Sequence, residues 1–373
     1  MDKALVIVVD GCNPAYLTEE SAPNIYRLAR EHGFMKTVQC VMPAVTNVNH
    51  AAILSGEWPD VTGVIGNYWY DPKTGDQGFV EERGFMKAPT ALQRYQQAGY
   101  DTALLTVKGK VLGVYGDGAT YGLSAQDADP ELLKRWGLSE PPDIYSVEAS
   151  GWIADAAVRC IETDDPAFVY CTTNDYVFHH YAPGDPKAQQ QISDIDAAVA
   201  RAYEADPTRQ IYITADHGMN QKTTIANMQH VCDDNGFDTF CLGPLKDRYV
   251  VNHIYQEGGM VYVFLKGKSA TPEERARFRA FAEGLPYVEK VMPAPDAAAV
   301  YHLPSDKIGD FVLFSAPGCA FGECDGETIH TEESRTHGSL YEREIPLVAV
   351  NPAGPADEYR YHMDIVRHLF KTL

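Results

Sequence analysis

Three short apolar runs in this chain end on acidic or histidine residues. Residues 4–9 run into Asp10, residues 210–214 run into Asp216 and His217, and residues 167–172 are followed by Asp175. The runs are rich in β-branched and aliphatic residues without alternation, as strands buried on both faces of a parallel sheet must be. In open α/β sheets, sites form beyond the carboxyl ends of the strands. Polar residues placed there converge in space even when far apart in the chain.

Helical patterns separate these runs, at 23–32, 46–55, 88–98, 147–162 and 186–205, with a further strand at 102–107. This βαβα order predicts a doubly wound α/β fold with a mainly parallel sheet. After about residue 225 the pattern changes. Strands at 260–265, 287–292 and 309–314 surround a helix at 271–283, which reads as a smaller α+β cap insertion. The predicted organisation is a catalytic core of 1–225 and 335–373 around a cap of 226–334. The core resumes with a strand at 346–351 and a helix at 361–371.

The 373 residues carry 31 Lys+Arg against 52 Asp+Glu, a formal net charge of −21. Affinity for nucleic-acid polymers and for anionic membranes comes mainly from Lys and Arg, so both are excluded as partners. A small anionic substrate is not excluded, because a bound metal reverses the local field. The apolar stretch 4–9 is too short for a signal peptide. No apolar run reaches the length of about 18 residues needed for a membrane helix. Eight scattered cysteines, none in a CxxC pair, read as reduced thiols of a cytoplasmic protein. A homodimer is the base-rate expectation.

Taken singly, an aspartate after a strand is an ordinary helix cap and a histidine an ordinary core residue. Their joint placement points elsewhere. Asp175 and His179 are four apart, so one helical turn puts both on one face. His337 stands just before the last strand. This many Asp and His groups at strand ends suit two divalent ions. Nitrogen plus carboxylate ligation favours Zn2+, with Mn2+ or Fe2+ as alternatives. Thr46 opens a predicted helix, where amide N–H groups favour anions, although a plain N-cap has the same signature. Asn67 follows a Gly-rich turn. Lys108 and Lys110 follow the strand at 102–107 and both reach the cleft if the chain turns at Gly109. Arg335 and His253 are further cationic candidates.

The segments VVDG (8–11), TNVNHAAILSG (46–56), GVIGNYWYD (63–71), TTNDYVFHHYAPG (172–184), TADHGMN (214–220) and RTHGS (335–339) resemble, in order, the nucleotide pyrophosphatase/phosphodiesterase-like branch of the alkaline phosphatase superfamily. The resemblance implies that Asp10, Thr46, Asp216 and His217 hold one metal and that Asp175, His179 and His337 hold the other. It implies Thr46 as nucleophile and Asn67 as donor to a phosphoryl oxygen. TVKGKVLG (106–113) and LPSDKIGDFVLFS (303–315) extend the similarity to the phosphonoacetate hydrolases of that superfamily. This implies C–P hydrolysis through a phospho-threonine, with Lys108 and Lys110 on the substrate carboxylate. A nucleotide phosphodiesterase or phosphonate monoester hydrolase on the same site is the alternative. The phosphoglycerate mutase-like branch uses serine where this chain has Thr46. A non-catalytic scaffold would lack a ligand, and none is missing. The stretch 116–136 aligns with neither and reads as a loop.

Overall fold

The computed structural model describes residues 3–247 and 254–373. His253, one of the cationic candidates, lies outside the described residues. In chain order the strands are β1 (Ala4–Val8), β2 (Gly33–Gln39), β3 (Tyr68–Tyr70), β4 (Gln77–Phe79), β5 (Thr102–Thr106), β6 (Tyr121–Ser124), β7 (Phe168–Thr172) and β8 (Gln210–Thr214). They continue with β9 (Asn220–Ala226), β10 (Thr239–Leu242), β11 (Met260–Leu265), β12 (Val288–Pro293), β13 (Phe311–Ser315), β14 (Cys319–Phe321), β15 (Thr328–Thr336) and β16 (Glu344–Val350).

Among the described residues a seven-stranded sheet has the order β2-β16-β8-β1-β7-β5-β6. Every residue of β1, β5, β7 and β8 is buried. Each aliphatic side chain shielded there contributes about 1.5–3 kcal/mol to folding. The pairs β1–β7, β1–β8, β5–β7 and β5–β6 are parallel, and β16 runs antiparallel to both β8 and β2. The fold is therefore the expected doubly wound, mainly parallel α/β arrangement.

The direction of β16 decides where His337 lies. An antiparallel strand starts where its neighbours end. The chain before β16, including His337, is thereby delivered to the carboxyl end of the sheet. The strand β2 runs the opposite way and ends there too, leading into the helix Thr46–Ser55. All ten residues of that helix are buried, and Gly56 closes it at φ 73°, a left-handed value that suits glycine.

Residues 226–334 contain the antiparallel sheet β10-β11-β13-β12 with helices Pro272–Glu283 and Ala294–Tyr301. β11 alternates with period two. Val261, Val263 and Leu265 pack in a local cluster with Phe278 and Leu313, whereas Met260, Tyr262 and Phe264 join the main core. The insertion is thus clamped onto the sheet by one face. The expected boundaries at 225 and 335 fall inside β9 and β15, which pair with each other where the chain leaves and re-enters the core.

Two segments differ from the sequence reading. β2 is a half-exposed edge strand, and only Val38 in it is fully buried, so it has no strong apolar period. The stretch read as a loop at 116–136 holds β6 and the helix Pro130–Trp136, whose N-cap is Asp129. β6 is the other edge of the sheet, four residues long, and too short to register as a pattern.

Candidate active site

Parallel register sets Val8, Thr172 and Thr214 side by side, and Thr106 beside Thr172. A few residues further on, four neighbouring strands carry Asp216 and His217, Asp10, Asp175 and Lys108 to one edge of the sheet. Gly11 makes the tight turn after Asp10 at φ 75°, and its N–H donates to Asp216 Oδ1 at 3.1 Å. A Cβ at this position would stand 3.1 Å from Met219 Cε and 3.4 Å from Asp175 Cβ.

Two three-residue groups result. Asp10, Asp216 and His217 form one, and Asp175, His179 and His337 the other. In each, the potential ligand atoms lie within 4.8 Å of one another, and all six residues are buried. The His217 and His337 rings stack at 3.5 Å with an 8° tilt, so the groups adjoin.

The three imidazoles share one arrangement. His179 Nδ1 donates to the Arg335 carbonyl at 2.5 Å, His217 Nδ1 to that of Gly218 at 2.9 Å, and His337 Nδ1 to that of Ala44 at 2.7 Å. Backbone acceptors on Nδ1 fix the tautomer and leave Nε2 as the atom that could ligate a metal, the usual support for a metal-bound histidine. His179 Nε2 stands 3.1 Å from Asp175 Oδ2 across one turn of the helix Tyr176–His180.

The electrostatics call for a cation. Burial, then the nearby carboxylates of Asp216 and Asp175, hold Asp10 well above the ordinary carboxylate range. Burial also pushes Asp216 up to about 6. Asp10 Oδ1 and Asp216 Oδ2 are buried and face His217 Nε2 at 3.5 and 3.3 Å, with no well-formed hydrogen bond to either oxygen among the described residues. Buried acceptors of this kind cost folding free energy unless something binds them. The nitrogen and carboxylate donor set fits zinc. At His179, burial favours the neutral ring, but Asp175 outweighs it and raises the pKa. At His217 burial wins and lowers it.

Thr46 is the first residue of its helix, and the N-cap position belongs to Val45 in extended conformation. The hydroxyl therefore caps nothing. It lies 3.3 Å from His217 Nε2, beside the first group. Asn67 is buried, its N–H bonded to the Pro244 carbonyl at 2.7 Å. Its Oδ1 accepts from the Asn47 N–H at 3.2 Å, which commits the oxygen and leaves Nδ2 as the donor.

The lysines are ion-paired. Lys108 Nζ is 2.5 Å from Asp175 Oδ1, both nearly inaccessible. Burial disfavours its charge, but Asp175, Asp10 and Asp247 override that and hold its pKa above the ordinary value. Lys110 Nζ meets Asp247 Oδ2 at 3.5 Å. Arg335, a candidate for the substrate carboxylate, is engaged elsewhere. Its Nε donates to the Phe178 carbonyl at 2.8 Å and its Nη2 to Tyr16 Oη at 2.6 Å, fixing the helix that carries His179. Sequence reasoning missed Asp247, which stands in an unpatterned segment with nothing to single it out.

The family described as type I phosphodiesterase / nucleotide pyrophosphatase matches residues 4–340. The chain superposes on the phosphonoacetate hydrolase of Sinorhizobium meliloti 1021 in complex with phosphonoformate at TM-score 0.87. That match has 28% identity and covers 100% of this chain and 96% of the other. It superposes on murine ectonucleotide pyrophosphatase / phosphodiesterase 5 in complex with AMP at TM-score 0.71, with 16% identity, covering 100% and 94%. An uncharacterized pyrophosphatase/phosphodiesterase of Schizosaccharomyces pombe is 22% identical over 236 residues, 58% of this chain and 44% of that protein. The chain thus spans less than half the length of that curated relative.

Proposed function

Since the chain belongs to the type I phosphodiesterase / nucleotide pyrophosphatase family, we propose that it is a metal-dependent hydrolase that splits the C–P bond of phosphonoacetate into acetate and phosphate. Asp10, Thr46, Asp216 and His217 would hold one divalent ion and Asp175, His179 and His337 the other. Bound there, two zinc ions would neutralise phosphoryl charge and lower the pKa of the Thr46 hydroxyl.

Thr46 Oγ1 attacks phosphorus in line. The C–P bond breaks, its electron pair goes to carbon, and the acetate carbanion is quenched by a proton from water. Phospho-Thr46 is then hydrolysed to phosphate. Asn67 Nδ2 donates to a phosphoryl oxygen, an oxyanion-hole role.

Lys108 is the observation that carries the C–P reading. It is an ammonium buried against Asp175, at the rim of the second group. A carbanion leaves only if its charge spreads into the adjacent carboxylate, and a fixed cation there stabilises that charge most in the transition state. Lys110, paired to Asp247, adds a second cation on the same side. The likeness to the Sinorhizobium meliloti enzyme over the whole chain supports the same substrate.

A phosphodiester reading on the same site has its own support in the family, described as type I phosphodiesterase / nucleotide pyrophosphatase. In either case the segment 226–334 serves as the cap that shapes the substrate side. Eight free cysteines suit a reducing compartment, and the cytoplasm is the proposed location. No helix among the described residues is long and apolar enough to cross a membrane. A homodimer is the default assembly.

The test is phosphate release from phosphonoacetate by zinc-loaded protein, run beside a nitrophenyl phosphodiester, with Thr46→Ala as control. Phosphate from phosphonoacetate that disappears in the variant is expected. Diester cleavage without phosphonoacetate turnover would keep Thr46 and overturn the substrate.

A further inference from the structure

Beside the site lies a third buried charge pair, which bonds to no proposed ligand side chain among the described residues. Lys222 Nζ is 2.8 Å from Glu342 Oε1, and the two side chains are 1% and 0% exposed. Lys222 stands on β9, five residues after His217. Glu342 stands five residues after His337, just before β16.

The Glu342 carboxylate collects bonds from both ligand-bearing segments. Oε1 accepts from Lys222 and from Asn220 Nδ2, each at 2.8 Å. Oε2 accepts from the Ser339 N–H at 2.8 Å and from Ser339 Oγ at 2.5 Å. The Glu342 carbonyl also accepts from the Gly218 N–H at 2.8 Å, next to His217. The His337 segment is laced from the other side, where Gly259 N–H donates to the His337 carbonyl at 2.8 Å. Approach there is so close that a Cβ on Gly259 would lie 2.2 Å from Ser339 Cβ.

A buried ion pair is a poor source of net stability, because desolvation offsets most of the attraction. What this pair does is geometric. It joins residues 218–222 to residues 339–342, and those segments follow His217 and His337, the two imidazoles that stack at 3.5 Å. One ring belongs to each proposed metal group.

We propose that Glu342 and Lys222 are positioning residues, which lock the His217 and His337 segments together and so set the spacing of the two metal groups. The inference rests on the two-metal reading of the site.

Zinc affinity is the readout, measured by competition with a chromophoric chelator on the full chain, with thermal unfolding of the metal-free protein alongside. The variants are Glu342→Gln and the charge-free double variant Lys222→Met/Glu342→Gln, which buries no unpaired ammonium. The expected result is a ten- to hundredfold loss of affinity for at least one zinc, the usual cost of removing a ligand's support, in every variant that folds. Unchanged affinity for both ions overturns the proposal, whatever happens to Tm. A double variant that does not fold also overturns it, by showing that the pair holds the fold rather than the ligands. Wild-type protein that binds fewer than two zinc ions would instead overturn the two-metal reading.

Discussion

At the scale of single residues, the site is two adjoining groups of buried acidic and imidazole side chains that could hold cations, with one ammonium already in place. Lys108 occupies Asp175 Oδ1, an oxygen that a second ion would also claim. On the proposed reading the lysine stands beside that carboxylate as the fixed cation for the leaving carbanion. Lys108→Ala is therefore expected to lower kcat on phosphonoacetate by about 100-fold, the scale of losing one preorganised donor, and to raise KM as well. Steady-state kinetics separates the cases, since a change in KM alone would reduce the lysine to a binding group. The six acidic and histidine positions were legible in the sequence because each stands at a strand end or one helical turn from it. The pairing of Lys110 with Asp247, and of Lys222 with Glu342, was not, because no local pattern links residues more than a hundred positions apart.

Among the elements, the helix Thr46–Ser55 does the most. It presents Thr46 at its start and is buried along its whole length. Its interior polar groups are bonded to the core, with His50 Nδ1 2.6 Å from Tyr170 Oη and Asn49 Oδ1 2.7 Å from His362 Nε2. Burial first, then neighbouring cationic groups, pushes His50 and His362 each down to about 3. Both rings are thus neutral when folded and protonate more readily when unfolded. Their contribution is complete above the ordinary histidine value of 6.5 and is lost as pH falls from there toward 3. His362→Gln keeps an amide donor for Asn49 and removes one titrating ring. Urea unfolding of the metal-free protein should then show a loss of stability between pH 7 and pH 5 that is smaller than in wild type by about 2 kcal/mol. Equal losses would mean that His362 does not carry this term. The helix itself was visible in the sequence, but its complete burial was not, because burial on all sides depends on what packs around it.

For the whole molecule, Asp10, Asp175 and Asp216 bury three carboxylates beside one another with Lys108 as the adjacent ammonium, a charge balance that bound cations would improve. If zinc fills the two groups as proposed, it binds the folded chain in preference to the unfolded one, and at about a thousandfold above Kd each ion should add about 4 kcal/mol. Calorimetry of zinc-loaded against EDTA-treated protein should show Tm higher by roughly 5–10 °C, and identical transitions would count against metal at these groups. The amino-acid sequence alone determined the alternation of strands and helices and the parallel sheet, since these follow from local periodicity, and it offered the candidate ligating side chains through where apolar runs stop and through the family resemblance. Tertiary structure alone decided the rest. It set β16 antiparallel so that His337 arrives at the carboxyl edge, moved Thr46 off the cap position, engaged Arg335 with backbone, and brought residues 218–222 against 339–342. Those outcomes depend on contacts between distant segments, and distance along the chain carries no record of them until the sheet has formed.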